Sequence, residues 1–160
     1  MKVVVLAATG QAGRPIVSEL LSRGHDVIAA ARNPDKLPPS VTAAQLDLED
    51  TKRVSEVIRG ADAVVSAFGP SRDDPRFFTD VSYTDQWKRV AESMVEAVKA
   101  AGVPRLLVVG GAGSLFLAPG VTVLDSGKWP ENLVPIAESH IKAFTVLRES
   151  NINWTYFSPP

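Results

Sequence analysis

The stretch that most constrains the fold lies at the start of the chain, where residues 3–13 read VVVLAATGQAG. The apolar run from Val3 to Ala8 is typical of a strand buried on both faces, as in a parallel sheet. A turn that contains Gly10 and Gly13 follows, and apolar residues then recur at helical spacing up to Gly24. Strand, glycine turn and helix together predict the first half of a nucleotide-binding βαβ unit.

This turn has a physical reason to hold an anion. The first N–H groups of a helix have no partner within it, and the helix dipole places partial positive charge at the same end. Glycine lets the backbone approach a pyrophosphate without a Cβ in the way. Read as G-x-x-G-x-x-G, the motif has Ala7 in its first position, followed by Gly10 and Gly13. An ordinary tight βα connection is the alternative, and the flanking strand and helix favour the binding interpretation.

Composition bounds the remaining choices. A chain of 160 residues with 45% hydrophobic and 22% charged residues is expected to form one globular domain. Its net charge of −1 offers no electrostatic footprint for nucleic acid. With no cysteine and two histidines, disulfides and thiolate catalysis are excluded and a metal site has little support. Residues 106–124 carry no charge, but their glycines and proline would break a membrane helix, so we expect a cytoplasmic protein without membrane association.

The end of the second predicted strand, Val27–Ala31, bears on the choice of dinucleotide. In a Rossmann unit a carboxylate at this place bonds the ribose 2′-hydroxyl of NAD, whereas an arginine accommodates the 2′-phosphate of NADP. The chain has Arg32 here, with Lys36 close behind and no carboxylate before Asp35. Because a guanidinium fork suits a phosphate, this favours NADP, the alternative being a solvated arginine before a turn.

Two further strand ends are expected at the same edge of the sheet. The third strand, Val41–Leu46, leads to Asp47 and Leu48, a corner that usually borders the adenine, although Asp47 or Asp50 can also cap the next helix. The fourth strand, Ala63–Ala67, ends beside the first at the switch point of the sheet, where ligands bind. The segment 70–83 mixes charges, prolines and phenylalanines, which predicts an irregular, mobile loop beside the site, with solvated carboxylates at Asp73 and Asp74.

A long helix beginning at Asp85 is predicted to pack an aromatic and aliphatic stripe into the core, through Trp87, Val90, Met94, Val95 and Val98. The fifth strand, Arg105–Val109, runs directly into GGAGSLF. There the backbone of Gly111, Ala112 and Gly113 would approach a nicotinamide, and Ser114 would be within hydrogen-bond range of a substrate. Small polar residues are also common in such turns without any such role.

The remainder is predicted as an extended lid or hairpin over 118–136, a helix over 137–149 and a sixth strand over 154–157. The helix carries His140 and Lys142. A histidine on an amphipathic helix is more often a surface or packed residue than a catalyst.

Six motifs in the right order resemble a known group: AATGQAG, RNPDKL, SAFGP, VVGGAGSL, APGVTVLD and NWTYFSPP. Over nearly all 160 residues the chain resembles the NAD(P)H-binding, NmrA-like branch of the atypical short-chain dehydrogenases, and most of all the members named NADH-flavin reductases. The resemblance implies an α/β Rossmann fold, a doubly wound parallel sheet in the order 3-2-1-4-5-6 between two helical layers. It implies one NAD(P)-binding domain over residues 1–160. Members of the group continue past the S-P-P motif into a substrate-covering segment, which this chain is expected to lack.

The resemblance also implies where a dinucleotide lies. The first turn would hold it and Arg32 would meet the 2′-phosphate. The residues implied as contacts are Ala7, Thr9, Gly10, Gln11, Ala12, Gly13, Arg32, Asp47, Leu48, Ala67, Phe68, Gly69, Gly111, Ala112, Ser158 and Pro159.

One departure from the wider superfamily concerns the proton donor. The Tyr-x-x-x-Lys pair is absent, because Glu138 lies four residues before Lys142 and neither tyrosine has a lysine at that spacing. Alcohol–ketone interconversion is therefore disfavoured. Hydride transfer to a flavin or quinone does not need the pair, since the protein supplies orientation. Ser114 and His140 are the candidate catalytic residues.

The sequence thus predicts an oxidoreductase that uses NADP, with NADPH preferred over NADH, and passes hydride to a small planar acceptor such as a flavin (FMN or FAD as substrate) or a quinone. A non-catalytic, NADP-sensing regulatory protein of the NmrA-like kind is the alternative, and a cofactor-binding fragment is a third hypothesis. We expect a monomer or weak homodimer.

Overall fold

A computed structural model of the chain describes residues 1–159. Its strands are β1 (Lys2–Leu6), β2 (Asp26–Ala31), β3 (Thr42–Gln45), β4 (Ala63–Ser66), β5 (Leu106–Val109), β6 (Phe116–Ala118), β7 (Val121–Thr122) and β8 (Trp154–Phe157). Its α-helices are α1 (Gly13–Ser22), α2 (Thr51–Ile58), α3 (Val81–Thr84), α4 (Gln86–Ala101) and α5 (Val134–Glu149).

Six of the strands form one parallel sheet in the order β3-β2-β1-β4-β5-β8. This confirms the predicted Rossmann order, because the sixth predicted strand is β8. The chain moves outward from β1 to β3 and then returns to β4 on the other side of β1. The carboxyl ends of β1 and β4 therefore meet at the switch point, where open α/β sheets bind ligands.

The sheet lies between two helical layers, and the alternation of residues along β1 shows why. Val4 and Leu6 are fully buried against the face covered by α2, α4 and α5. Val3 and Val5 are buried on the opposite face, where α1 contributes Val17. A strand buried on both faces needs the continuous apolar run that the sequence shows.

The segment 70–83 is more ordered than predicted, so the expectation of an irregular loop is wrong. It contains a 3-10 turn at Pro75–Phe78 and the short helix α3. Each begins with an aspartate whose side chain accepts a backbone N–H, Asp74 from Arg76 and Asp80 from Ser82. Phe77, at 3% exposure, anchors the segment in the core.

The region before the last helix is also corrected in part. A hairpin does form, as β6 and β7, which pair antiparallel apart from the main sheet, but it covers residues 116–122 and so overlaps only the first part of the predicted range 118–136. Helix α5 begins at Val134, three residues before the predicted start. Pro135 does not delay it, because the first turn of a helix does not use the missing N–H. Within residues 1–159, no helix is long and apolar enough to cross a membrane.

Candidate functional site

A cleft of about 840 Å³ opens at the carboxyl edge of the sheet. It is bordered by the turn after β1, the ends of β2, β4 and β5, the segment 67–73 and parts of α4 and α5. Its position at the switch point is the one that the strand order predicts.

Backbone conformation and close packing both constrain the turn between β1 and α1. Ala7 has φ +57°, in the left-handed region that favours glycine, so the first position of the motif adopts a glycine-like conformation without being glycine. The Gly10 N–H donates to the Ala7 carbonyl at 3.0 Å. A Cβ on Gly13 would lie 2.8 Å from Ala8 Cα, so this glycine allows α1 to pack closely on the strand.

The start of α1 is open to an anion. No side chain caps this helix, and its first turn has no acidic residue. The backbone N–H groups of Gln11 and Ala12, two residues that border the cleft, donate to no acceptor in the described part of the chain. Free N–H groups and the positive end of the dipole therefore face the same space, which is the chemistry that binds a pyrophosphate.

A basic group borders one end of the cleft. Arg32 directly follows β2, and Arg32 and Lys36 both line the cleft. The Arg32 backbone carbonyl accepts from Gln45 Nε2 at 3.2 Å, while its guanidinium forms no ion pair with any carboxylate of residues 1–159. An exposed guanidinium without a carboxylate partner suits a phosphate.

The two aspartates that could cap α2 have separate roles. Asp50 is the cap, since its Oδ1 accepts the Arg53 N–H at 3.0 Å. Asp47 instead accepts the Glu49 N–H at 3.0 Å and borders the cleft together with Leu48. The cap and the cleft are therefore served by different carboxylates.

The other end of the cleft is aromatic. The His140 ring lies on the Trp87 indole with ring centroids 3.8 Å apart, and Phe77 meets Trp87 edge-on at 6.0 Å. The indole is fixed because its Nε1–H donates to the Phe68 carbonyl at 3.2 Å. The prediction that Trp87 serves only the core is thus incomplete, since it also lines the cleft.

Behind this aromatic end, Tyr156 contacts His140. The Tyr156 Oη accepts the Gly111 N–H at 3.2 Å and lies 3.4 Å from both Nδ1 and the carbonyl oxygen of His140. Burial, with a smaller contribution from the positive charge of Arg72, lowers the pKa of His140 to about 4. Burial raises the pKa of Tyr156 to about 12, against a lowering contribution from the Gly111 hydrogen bond. At neutral pH the imidazole is therefore neutral and the phenol is protonated.

Most of the predicted site residues lie together. Those that border the cleft are Ala7, Thr9, Gly10, Gln11, Ala12, Arg32, Asp47, Leu48, Ala67, Phe68, Gly69 and His140. Those that do not are Gly13, Gly111, Ala112, Ser114, Ser158 and Pro159. Ser114 lies in a 3-10 turn, Ala112–Ser114, that packs on α5 through Gly113, where a Cβ would lie 3.2 Å from the Ala137 Cβ. Contact of any of these residues with a ligand stays a prediction.

Several lining residues were not predicted. They come mainly from the segment after β4 and from the start of α4: Ser71, Arg72, Phe77, Gln86 and Trp87. Arg72 had a usable signal, because it follows a strand that ends at the switch point. Gly110, which also lines the cleft, had none in the sequence, and neither had Tyr156, which contacts His140 but does not line the cleft. Gly110 is required because a Cβ there would fall inside the Tyr156 ring.

The described residues hold no group of three or more His, Cys, Asp or Glu that could bind a metal ion.

Comparison with known proteins agrees with this geometry. The model of a family described as NAD(P)H-binding matches residues 7–160. The protein YwnB of Bacillus subtilis is 32% identical over 162 residues, which cover 99% of this chain and 71% of YwnB. The crystal structure of a "putative NADH-flavin reductase" from Streptococcus pneumoniae is 34% identical, with a TM-score of 0.83 over 99% of this chain and 71% of that one. A 3-diazoavenalumate denitrifying reductase from Streptomyces is 33% identical over 112 residues, or 67% of this chain and 36% of that protein.

Proposed function

Since the chain belongs to the NAD(P)H-binding family, among the atypical short-chain dehydrogenases that its motifs predict, we propose that it is an NADPH-dependent oxidoreductase acting on a small planar acceptor. A flavin or a quinone is the kind of acceptor meant. The observation that carries the proposal is one continuous cleft, with the uncapped start of α1 and Arg32 at one part and the Trp87–His140 ring pair at another. The reductase names of the pneumococcal and Streptomyces relatives support the same reaction class.

The residues present fit a nicotinamide dinucleotide. The free N–H groups of Gln11 and Ala12 would hold its pyrophosphate, and Gly10 keeps the turn free of a Cβ that would lie 3.2 Å from the Ala7 carbonyl oxygen. Asp47 and Leu48 border the part of the cleft between this turn and β3. When bound, NADPH supplies a hydride and leaves as NADP⁺, and one proton from water completes the reduced acceptor.

Preference for NADPH over NADH rests on charge. Arg32 and Lys36 place two positive groups at the end of β2, and no carboxylate lies between Ala31 and Asp35. A 2′-phosphate would gain charge-assisted hydrogen bonds there, whereas a 2′-hydroxyl has no acceptor of the kind that NAD-specific sites provide.

The part proposed for His140 is to donate a hydrogen bond. With a pKa of about 4 it is neutral at pH 7 and is a poor acid, but its imidazole still carries one N–H. Tyr156, which stays protonated, can donate to Nδ1 and so leave the proton on Nε2. A neutral donor suits an acceptor that gains hydride directly and then takes its proton from water.

The test is stopped-flow mixing of NADPH-loaded protein with FMN, riboflavin and a panel of quinones, following NADPH absorbance. Oxidation at a rate that depends on acceptor concentration is expected. NADPH binding without oxidation by any acceptor would contradict the enzyme and favour an NADP-sensing protein. Two observations support that alternative: Ser114 lies off the cleft and His140 is neutral at pH 7, so neither predicted donor offers an acid.

A further inference from the structure

Arg72 is a second positive group in the cleft, placed at its aromatic end and distinct from the Arg32 end. It lines the cleft, and its guanidinium carbon lies 5.8 Å from the centroid of the Phe77 ring. Within residues 1–159 this guanidinium has no ion pair, although Asp73 is its neighbour in the chain and also borders the cleft. The positive charge of Arg72 also acts on His140, where it disfavours the charged imidazolium and so contributes to the lowered pKa.

The nearby Arg76 shows what a structural arginine looks like in the same segment. Its guanidinium makes two hydrogen bonds to the Asp74 carboxylate, at 2.9 and 2.7 Å, and lies 4.5 Å from the centroid of the Tyr83 ring. It does not line the cleft. One arginine of the segment is thus neutralised by a carboxylate, while the other keeps its charge beside an aromatic surface.

The aromatic end of the cleft, next to Arg72, has the right chemistry for a ring. The Trp87 and His140 rings lie with their centroids 3.8 Å apart and are tilted by 36° to each other, and Phe77 meets the indole edge-on. Aromatic faces of this kind favour planar, conjugated ligands. The guanidinium of Arg72 beside these rings favours a ligand that also carries a negative group, which an uncharged quinone does not have.

We infer that the acceptor is an aromatic anion, whose ring lies against Trp87 and His140 and whose carboxylate or other anionic group pairs with Arg72. The claim that this ligand accepts hydride rests on the proposed function. The claim that the cleft binds such an anion does not.

The experiment measures binding first, with a probe that cannot be reduced by hydride. Titration calorimetry with 2-naphthoate and its uncharged analogue 2-naphthamide is carried out on the full chain saturated with NADP⁺, and repeated on the chain alone. We expect naphthoate to bind about tenfold more tightly than naphthamide at low ionic strength. This is the lower end of the range for a charge-assisted hydrogen bond, because Arg72 is exposed and solvent screens its charge. The preference should shrink at high salt.

Variants separate this role from general effects. Arg72→Gln should weaken naphthoate about tenfold and naphthamide less than twofold, and Arg76→Gln, the matched control in the same segment, should change neither. Asp73→Asn, which removes a nearby negative charge, should strengthen naphthoate. An equal loss of both probes in Arg72→Gln, or the same loss of naphthoate in Arg76→Gln, would overturn the inference. A weakened NADP⁺ affinity in Arg72→Gln with unchanged naphthoate preference would assign Arg72 to the dinucleotide and also overturn it.

Turnover then separates the two proposals. One outcome is that uncharged menadione oxidises NADPH, while Arg72→Gln leaves unchanged the ratio of the kcat/KM value for 1,4-naphthoquinone-2-sulfonate to that for menadione. The reductase proposal then stands and the proposed anion selectivity is wrong. If naphthoate binds selectively through Arg72 but no acceptor oxidises NADPH, the ligand site stands and the reductase fails.

Discussion

The buried His140 makes a quantitative prediction about stability and pH. In the unfolded chain an imidazole has a pKa near 6.5, whereas in the folded protein burial against Trp87 lowers the pKa of His140 to about 4. Between these two values the unfolded state binds the proton and the folded state does not. The contribution of His140 to folding stability is therefore complete above pH 6.5 and is lost as the pH falls toward 4.

The size of the effect follows from the two pKa values. A difference between 6.5 and about 4 corresponds to roughly 3 kcal/mol when the pH is below both. Over the accessible interval from pH 7 to pH 5, the same linkage relation gives a loss of roughly 2 kcal/mol in the free energy of unfolding. Asp74, Asp80 and Asp85 also have lowered pKa values, but from a starting value of 3.8, so their contributions are lost at lower pH.

The assay is urea denaturation followed by circular dichroism at pH 7, 6 and 5, for the wild type and His140→Gln. The variant is expected to lose stability at pH 7 and to show most of the acid-side slope removed. His25→Gln, which changes the other of the two histidines and leaves the Trp87–His140 stack intact, should keep the slope. A slope in His140→Gln equal to that of the wild type would refute the reasoning, whatever the absolute stability of the variant.

Three other substitutions test separate parts of the structure. Arg32→Ala should weaken NADPH binding by about 1.5–3 kcal/mol and NADH binding much less, because only NADPH has a 2′-phosphate for the guanidinium to contact. Fluorescence titration of both cofactors measures this, with Arg23→Ala, outside the cleft, as the control. Equal weakening of both cofactors would show that Arg32 does not contact the 2′-phosphate. Gly110→Ala should destabilise the fold by about 1–3 kcal/mol, because its Cβ would occupy the place of the Tyr156 ring, and denaturant midpoints unchanged from wild type would contradict that packing. Ala7→Gly should leave stability unchanged or raise it by up to about 1 kcal/mol, because Ala7 has φ +57°, a conformation that favours glycine. A clearly lower thermal unfolding midpoint would show that the Ala7 methyl group stabilises the fold by more than this backbone conformation costs.

The sequence alone determined the framework and one end of the cleft. The run Val3–Leu6 is buried on both faces as its unbroken apolar pattern predicts, and Gly13 is required where the motif has it. Arg32 lies at the cleft because its place, directly after the second strand, is set by local order along the chain. Such features are readable because strand, turn and helix start are neighbours in sequence, so the periodicity and the glycines record them directly.

The aromatic end was decided by the tertiary structure. Trp87 belongs to α4, His140 to α5 and Tyr156 to β8, and their contacts join residues 16 or more positions apart. A single sequence shows that each of the three carries a ring that can pack in a protein interior, but not which of them meet or which faces the cleft. The same reason placed Ser114 off the cleft and Arg72 on it: both follow strand ends, and the packing of their segments on α5 and around Phe77 decided where each side chain lies. Long-range packing, which no local pattern records, therefore built the part of the cleft that we assign to the acceptor.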